Sequence, residues 1–126
     1  DLRDVHGNTR DGLHIASLAG AWIALVAGLG GMRDHHGQLS LAPRLPGRLA
    51  RLEFSLLWHG HRLRVTISQS EATYTIRDGH RTAVELLHHG QPVTVTPGTP
   101  VRMPIPPSQP LTPPPQQPPG RAPVRR

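Results

Sequence analysis

Cysteine and lysine are both missing from the 126 residues. Without thiols the chain has no disulfide framework and no thiolate metal site. That fits a reducing compartment, and a cytoplasmic location is the expectation. All 14 basic side chains are arginine, which alongside abundant Ala, Gly and Pro reads as codon bias rather than chemistry. Aromatics are scarce: Trp22, Phe54, Trp58 and Tyr74 are the whole set. The net charge of +6 is also unevenly placed, because from Thr96 onward there are four arginines and no acid. Ten arginines against eight acids leave the first 95 residues at only +2. A nucleic-acid surface needs a concentrated basic patch, usually with stacking aromatics, so no nucleic-acid partner is expected.

What is present falls into three unlike segments. The first breaks from the polar "HGNTRDG" into the apolar "LHIASLAGAWIALVAGLGG". Residues 11 to 28 are expected to form a helix capped by Asp11 and stopped by Gly28, Gly30 and Gly31. Ala16, Gly20, Ala24 and Gly28 form a ridge of small side chains that a neighbouring helix could approach closely. Leu18, Trp22 and Leu25 make a bulky stripe opposite. The run is about the length of a membrane span, but His14, Ser17, four glycines and the lack of a basic flank argue against one. No membrane association is expected, and the helix requires partners on most of its surface. The chain also starts without methionine, so it reads as a piece of a longer protein.

The second segment alternates. Leu52, Phe54, Leu56 and Trp58 point one way and Arg51, Glu53 and Ser55 the other. After "HGH", Leu63, Val65 and Ile67 oppose Arg62, Arg64 and Thr66, which describes a hairpin with one buried face. "ATYTI" ending in Asp78-Gly79, then "AVELLHHG" and "QPVTVTPG", supply further strands. Residues 37 to 46 read as an edge strand ended by prolines. Five or six short strands at this spacing predict a small antiparallel β-sandwich over residues 35 to 96. The third segment, residues 97 to 126, has 12 prolines and no acidic or aromatic residue. It is expected to be a disordered tail.

Nine histidines invite a metal reading. Adjacent histidines on a strand face opposite ways, no H-E-x-x-H pattern occurs, and "HGH" at a hairpin turn would chelate only weakly. No metal is expected. No nucleophile elbow, phosphate loop or dinucleotide fingerprint is present, and "GLGG" follows a helix rather than opening one. His14 stands apart. With Asp11 as cap it would lie in the first helical turn, where free amide hydrogens and the positive end of the dipole favour an anion. Spacing alone leaves it open whether His14 contacts an anion or is a buried histidine satisfied by a carbonyl.

Around that residue the chain reads "DVHGNTRDGLHIASLAGAWIALVAGLGGMRD", followed by "LSLAPRLPGRLARLEFSLLWHGHRLRVTI" and "LLHHGQPVTV". These stretches, spanning residues 1 to 96, resemble the C-terminal end of glycoside hydrolase family 65. That family includes maltose, kojibiose and trehalose phosphorylases and some hydrolases. The resemblance implies that residues 1 to 34 end a helical-toroid catalytic domain and that residues 35 to 96 are its C-terminal β-domain. Overall this is a mainly β chain preceded by one buried helix of an α/α toroid.

It also implies an enzyme that cleaves an α-glucosidic disaccharide by inverting phosphorolysis to glucose 1-phosphate, with inorganic phosphate as co-substrate and no cofactor. His14 matches the phosphate-binding histidine of the "G-x-H-x-A-S" motif, and Ser17 matches its serine, in a supporting role. None of Glu53, Glu71 and Glu85 lies in a motif of the family's general acid. No catalytic residue is therefore expected in this chain, which alone should be inactive. A homodimer is compatible with the resemblance, since family phosphorylases are often dimers. Two alternatives stay open: hydrolysis with water, or a non-catalytic β-sandwich that binds carbohydrate or protein, with Trp58 as its best platform.

Overall fold

A computed structural model describes residues 3–10, 12–78 and 82–108 of the chain. One helix, α1 (Ile15–Ile23), continues as a π-helical turn over Ala24–Leu29. Eight strands follow: β1 (Arg33–His35), β2 (Gln38–Leu41), β3 (Leu52–Trp58), β4 (His61–Ile67), β5 (Glu71–Asp78), β6 (Val84–His88), β7 (Gln91–Val95) and β8 (Val101–Pro104).

They form two four-stranded sheets, β1-β2-β6-β7 and β3-β4-β5-β8. The chain is mainly β, a sandwich with its core between the sheets. Alternation places that core: Leu63, Val65 and Ile67 of β4 and Ala72, Tyr74 and Ile76 of β5 are buried on one sheet. Leu39, Leu41, Leu86, Val93 and Val95 face them from the other. Each such Val, Leu or Ile side chain removed from water contributes about 2 kcal/mol.

Three of the connections are two-residue hairpins, and all three are His-Gly. His36-Gly37, His59-Gly60 and His89-Gly90 have φ of 54 and 80, 46 and 80, and 46 and 83 degrees. Positive φ at both central residues is the type I′ turn, whose twist matches that of the flanking strands. Glycine adopts it freely, and histidine is among the few other residues found there with any frequency. Three of the nine histidines are thereby explained as turn formers.

Several expectations change. The helix starts at Ile15 rather than residue 11, because Gly12 sits at φ +123 and closes a turn onto Thr9, with its amide 3.0 Å from that carbonyl. Asp11, the expected cap, lies outside the described residues, as do Gly79 and His80. The helix is also not buried within this chain. None of α1 is buried, and Ile15, Trp22 and Ile23 are 79%, 46% and 55% exposed. Only Val26 of the π turn enters the core.

Residues 37 to 46 are not an edge strand either. β2 lies between β1 and β6, and its pairing with β6 is parallel, Ser40 opposite Leu87 and Leu41 opposite His88. A parallel neighbour needs a crossover, and the whole β3–β5 meander provides it. The sandwich is thus antiparallel except for this one pair among the described strands.

The ordered β-structure also exceeds residues 35 to 96 at both ends, starting at Arg33 and taking in β8. The first part of the proline-rich segment is a strand because Val101, Met103 and Ile105 alternate inward against the core. Pro104 is tolerated at the end of an edge strand, where its missing donor leaves no gap in a ladder. Residues 109–126 lie outside the described residues.

The glycines at the helix end do more than stop it. A Cβ on Gly30 would lie 2.5 Å from the Val26 carbonyl oxygen and 3.0 Å from the Phe54 ring. A Cβ on Gly31, whose φ is +61, would lie 2.3 Å from the Ala42 carbonyl oxygen. The backbone after β2 runs directly against this point, with Arg44 N 2.9 Å from Leu29 O. Arg33 closes the helix end from the other side, donating to the carbonyls of Ala27 and Met32 at 2.7 Å each.

Candidate functional site

The polar loop before α1 is held by its own side chains. Asp4 Oδ1 accepts from the Thr9 amide at 3.0 Å, and the Gly7 amide reaches Asp4 O at 3.0 Å. The bonds from Thr9 hold the Asp4 carboxyl below its usual range. The chain then turns at Gly12 and enters α1. His14 is itself the N-cap residue, with extended φ −78 and ψ 92. Its carbonyl accepts the first helical bond, from Leu18 N at 3.1 Å. The amides of Ile15, Ala16 and Ser17 precede any i−4 carbonyl of the helix and so have no partner within it.

His14 and Ser17 are both exposed in this chain, at the cap and the third helical position. The structure therefore brings the two together at one helix terminus, three positions earlier in the helix than the Asp11 cap implied. No acidic residue lies in the first turn of α1. Amide donors, the positive dipole end, an imidazole and a hydroxyl make this terminus suited to an anion.

Sequence reasoning missed a second polar centre, inside the sandwich. His88 projects from β6 into the core and is 1% exposed. Its Nε2–H donates to the Pro104 carbonyl of β8 at 3.0 Å. That fixes the tautomer and leaves Nδ1 to accept from the Tyr74 hydroxyl of β5 at 2.7 Å. One imidazole thus ties both sheets and the final strand. Burial pushes the His88 pKa down, against a smaller opposite pull from the Pro104 carbonyl, and burial pushes the Tyr74 hydroxyl up. His89, whose Nε2 donates to Pro43 O at 3.2 Å, is lowered by burial and by the nearby His88 and Arg44. The signal was present in the sequence: in Val84, Leu86, His88 the inward phase of β6 ends on a histidine.

The carboxylates are engaged structurally. Partial burial pushes Glu53 up, but hydrogen bonds from Thr66 and Arg51 and the charge of Arg64, 3.3 Å away, outweigh it and hold the group ionised. A general acid needs the opposite shift. Glu71 faces Arg102 at 3.9 Å, and Glu85 accepts from Thr94 at 3.0 Å. Among the described residues no group of three or more His, Cys, Asp or Glu side chains could hold a metal ion. Nor is any helix among them long and apolar enough to cross a membrane.

Residues 32–95 match the family model described as "Glycosyl hydrolase family 65, C-terminal domain". The chain belongs to glycosyl hydrolase family 65. Its sequence is 52% identical over 126 residues, all of this chain and 16% of the relative, to an uncharacterized glycosyl hydrolase of Mycobacterium leprae. That alignment runs through the proline-rich segment, which therefore belongs to the similarity. An alpha,alpha-trehalose phosphorylase of Geobacillus stearothermophilus is 35% identical over 86 residues, 68% of this chain and 11% of the relative. A kojibiose phosphorylase of Thermoanaerobacter brockii is 39% identical over 74 residues, 58% of this chain and 10% of the relative. The chain thus spans only a small C-terminal share of these longer family 65 proteins. Among solved structures, "Putative kojibiose phosphorylase from human microbiome" superposes with a TM-score of 0.69 at 22% identity, covering 82% of this chain and 14% of that one. That likeness carries the fold.

Proposed function

We propose that the chain is the C-terminal part of an enzyme that cleaves an α-linked glucose disaccharide by inverting phosphorolysis. A carboxylic acid outside this chain protonates the glycosidic oxygen as its bond to the anomeric carbon breaks. A phosphate oxygen forms the new bond from the opposite face and yields glucose 1-phosphate. Inorganic phosphate is the co-substrate and no cofactor takes part. Residues 1–34 complete the catalytic domain, and the exposed face of α1 packs on helices upstream. The chain alone is inactive.

The observation that carries this reading is the placement of His14. It caps a helix whose first-turn amides and dipole favour phosphate, within a motif that resembles the phosphate contact of the family. Its imidazole donates to a phosphate oxygen, and Ser17 Oγ supports the same terminus. The relatives named as trehalose and kojibiose phosphorylases support it. A second reading, hydrolysis by water, is favoured by the name of the mycobacterial relative, a glycosyl hydrolase that aligns over the whole chain.

The experiment is a steady-state assay of the longer protein on maltose, kojibiose and trehalose with and without phosphate. Phosphorolysis predicts phosphate-dependent release of glucose 1-phosphate. His14→Ala should raise the KM for phosphate about tenfold or more, the size of a lost charge-assisted hydrogen bond. Two moles of free glucose per disaccharide, without phosphate dependence, would establish the hydrolytic reading instead.

A further inference from the structure

At one end of the sandwich a pocket of about 340 Å³ opens where the two sheets meet. Sheet β3-β4-β5-β8 contributes Trp58, His59 and His61 at the β3–β4 turn. The other side is formed by Gly37 of the β1–β2 turn and by Thr82 and Glu85 around the start of β6. None of these residues belongs to the helix terminus that carries His14.

We propose that this pocket is a non-catalytic binding site for one pyranose ring of a neutral α-glucoside. Three features argue for that chemistry. The first is a fixed apolar plate. Trp58 is half-buried, packs against the core and meets His59 edge-on, with centroids 4.7 Å apart at 78°. Alternation alone pointed this indole wholly inward, but its place at the strand end leaves part of it on the pocket wall. A pyranose presents a face of C–H groups to such a ring.

The second is a rim of short polar groups already held in position. The Thr82 hydroxyl lies 3.2 Å from His61 Nε2, and the Glu85 carboxylate is oriented by the Thr94 hydroxyl at 3.0 Å. A carboxylate holding one donor keeps several acceptor positions for sugar hydroxyls. A few polar groups beside an apolar floor are what a small-ligand site requires, and the volume lies at the lower end of the usual range.

The third is charge. In a chain with 14 arginines, the described lining residues include none, and Glu85 is the sole carboxylate among them. An anionic sugar phosphate would be repelled and a neutral sugar would not. That the sugar is an α-glucoside rests on the proposed function; that it is a neutral pyranose rests on the pocket.

The test is isothermal titration and saturation-transfer NMR on the whole 126-residue chain with maltose, trehalose, β-linked cellobiose and glucose 1-phosphate. Maltose or trehalose should bind, glucose 1-phosphate should not, and Trp58→Ala should abolish binding. Because that variant could disturb the hairpin, Glu85→Gln is the second probe. It keeps the shape and the acceptor for Thr94, and should weaken binding about tenfold. Failure of both α-disaccharides to bind the unaltered chain overturns the proposal, as does binding that neither variant changes. Binding of cellobiose alone overturns the α-glucoside assignment. Phosphorolysis by the longer protein is measured separately, so a silent pocket beside intact phosphorolysis would refute the pocket and leave the proposed function standing.

Discussion

His88 is the residue on which the sandwich depends most directly. Its ring takes one hydrogen bond from β5, gives one to β8 and sits on β6, so a single truncation orphans the buried Tyr74 hydroxyl and the part-buried Pro104 carbonyl. His88→Ala should cost about 3 kcal/mol of unfolding free energy, against about 1 kcal/mol for Tyr74→Phe, which orphans only Nδ1. Chemical denaturation of the two variants checks the ranking. The pH dependence has a defined sign. Burial holds the folded-state pKa of His88 below its ordinary 6.5, and His89 shifts the same way. The unfolded chain therefore binds protons that the folded one refuses, so stability is full above about pH 6.5 and declines as pH falls below it. Thermal melts between pH 8 and 5 should show that decline, and His88→Ala should flatten it. Alternation through Val84 and Leu86 carries on to position 88 as an inward-facing one. What it could not show was the partner, because the Pro104 carbonyl lies in a segment whose composition resembles a tail.

At the scale of elements, the hairpins and most of the core were legible, since period-two alternation from Leu52 to Ile67 maps directly onto one buried face. The histidines were legible only in part. "His-Gly" recurs at three turns, and its meaning follows from φ rather than from metal chemistry. His36→Asn should therefore be nearly neutral, while His36→Val, β-branched at positive φ, should cost about 1–2 kcal/mol in denaturation experiments. The helix boundary was misplaced because capping chemistry at Asp11 says nothing of the Gly12 backbone, which turns the chain first. Gly31→Ala tests the join between helix and sandwich. Positive φ and the Ala42 carbonyl both oppose a methyl there, so the variant should lose more than about 2 kcal/mol. Gly28→Ala, with open space around it, should not.

For the whole molecule, the sandwich is complete in itself and the helix is not. Trp22 is 46% exposed while twelve or more strand side chains are sealed from water. If α1 closes a helical domain formed upstream, Trp22→Ala should change the stability of this chain little, yet destabilise the longer protein by about 3 kcal/mol or more. Equal, small effects in both would contradict that packing. The family was readable because its motif is dense around His14. The substrate was not, because no motif in these residues marks a sugar-reading pocket. One measurement addresses the chemistry of the helix terminus most directly. It is the phosphate dependence of disaccharide cleavage by the longer protein, with and without His14→Ala. A phosphate KM that rises about tenfold or more in the variant, with glucose 1-phosphate as product, is the predicted result. An unchanged phosphate KM would contradict it.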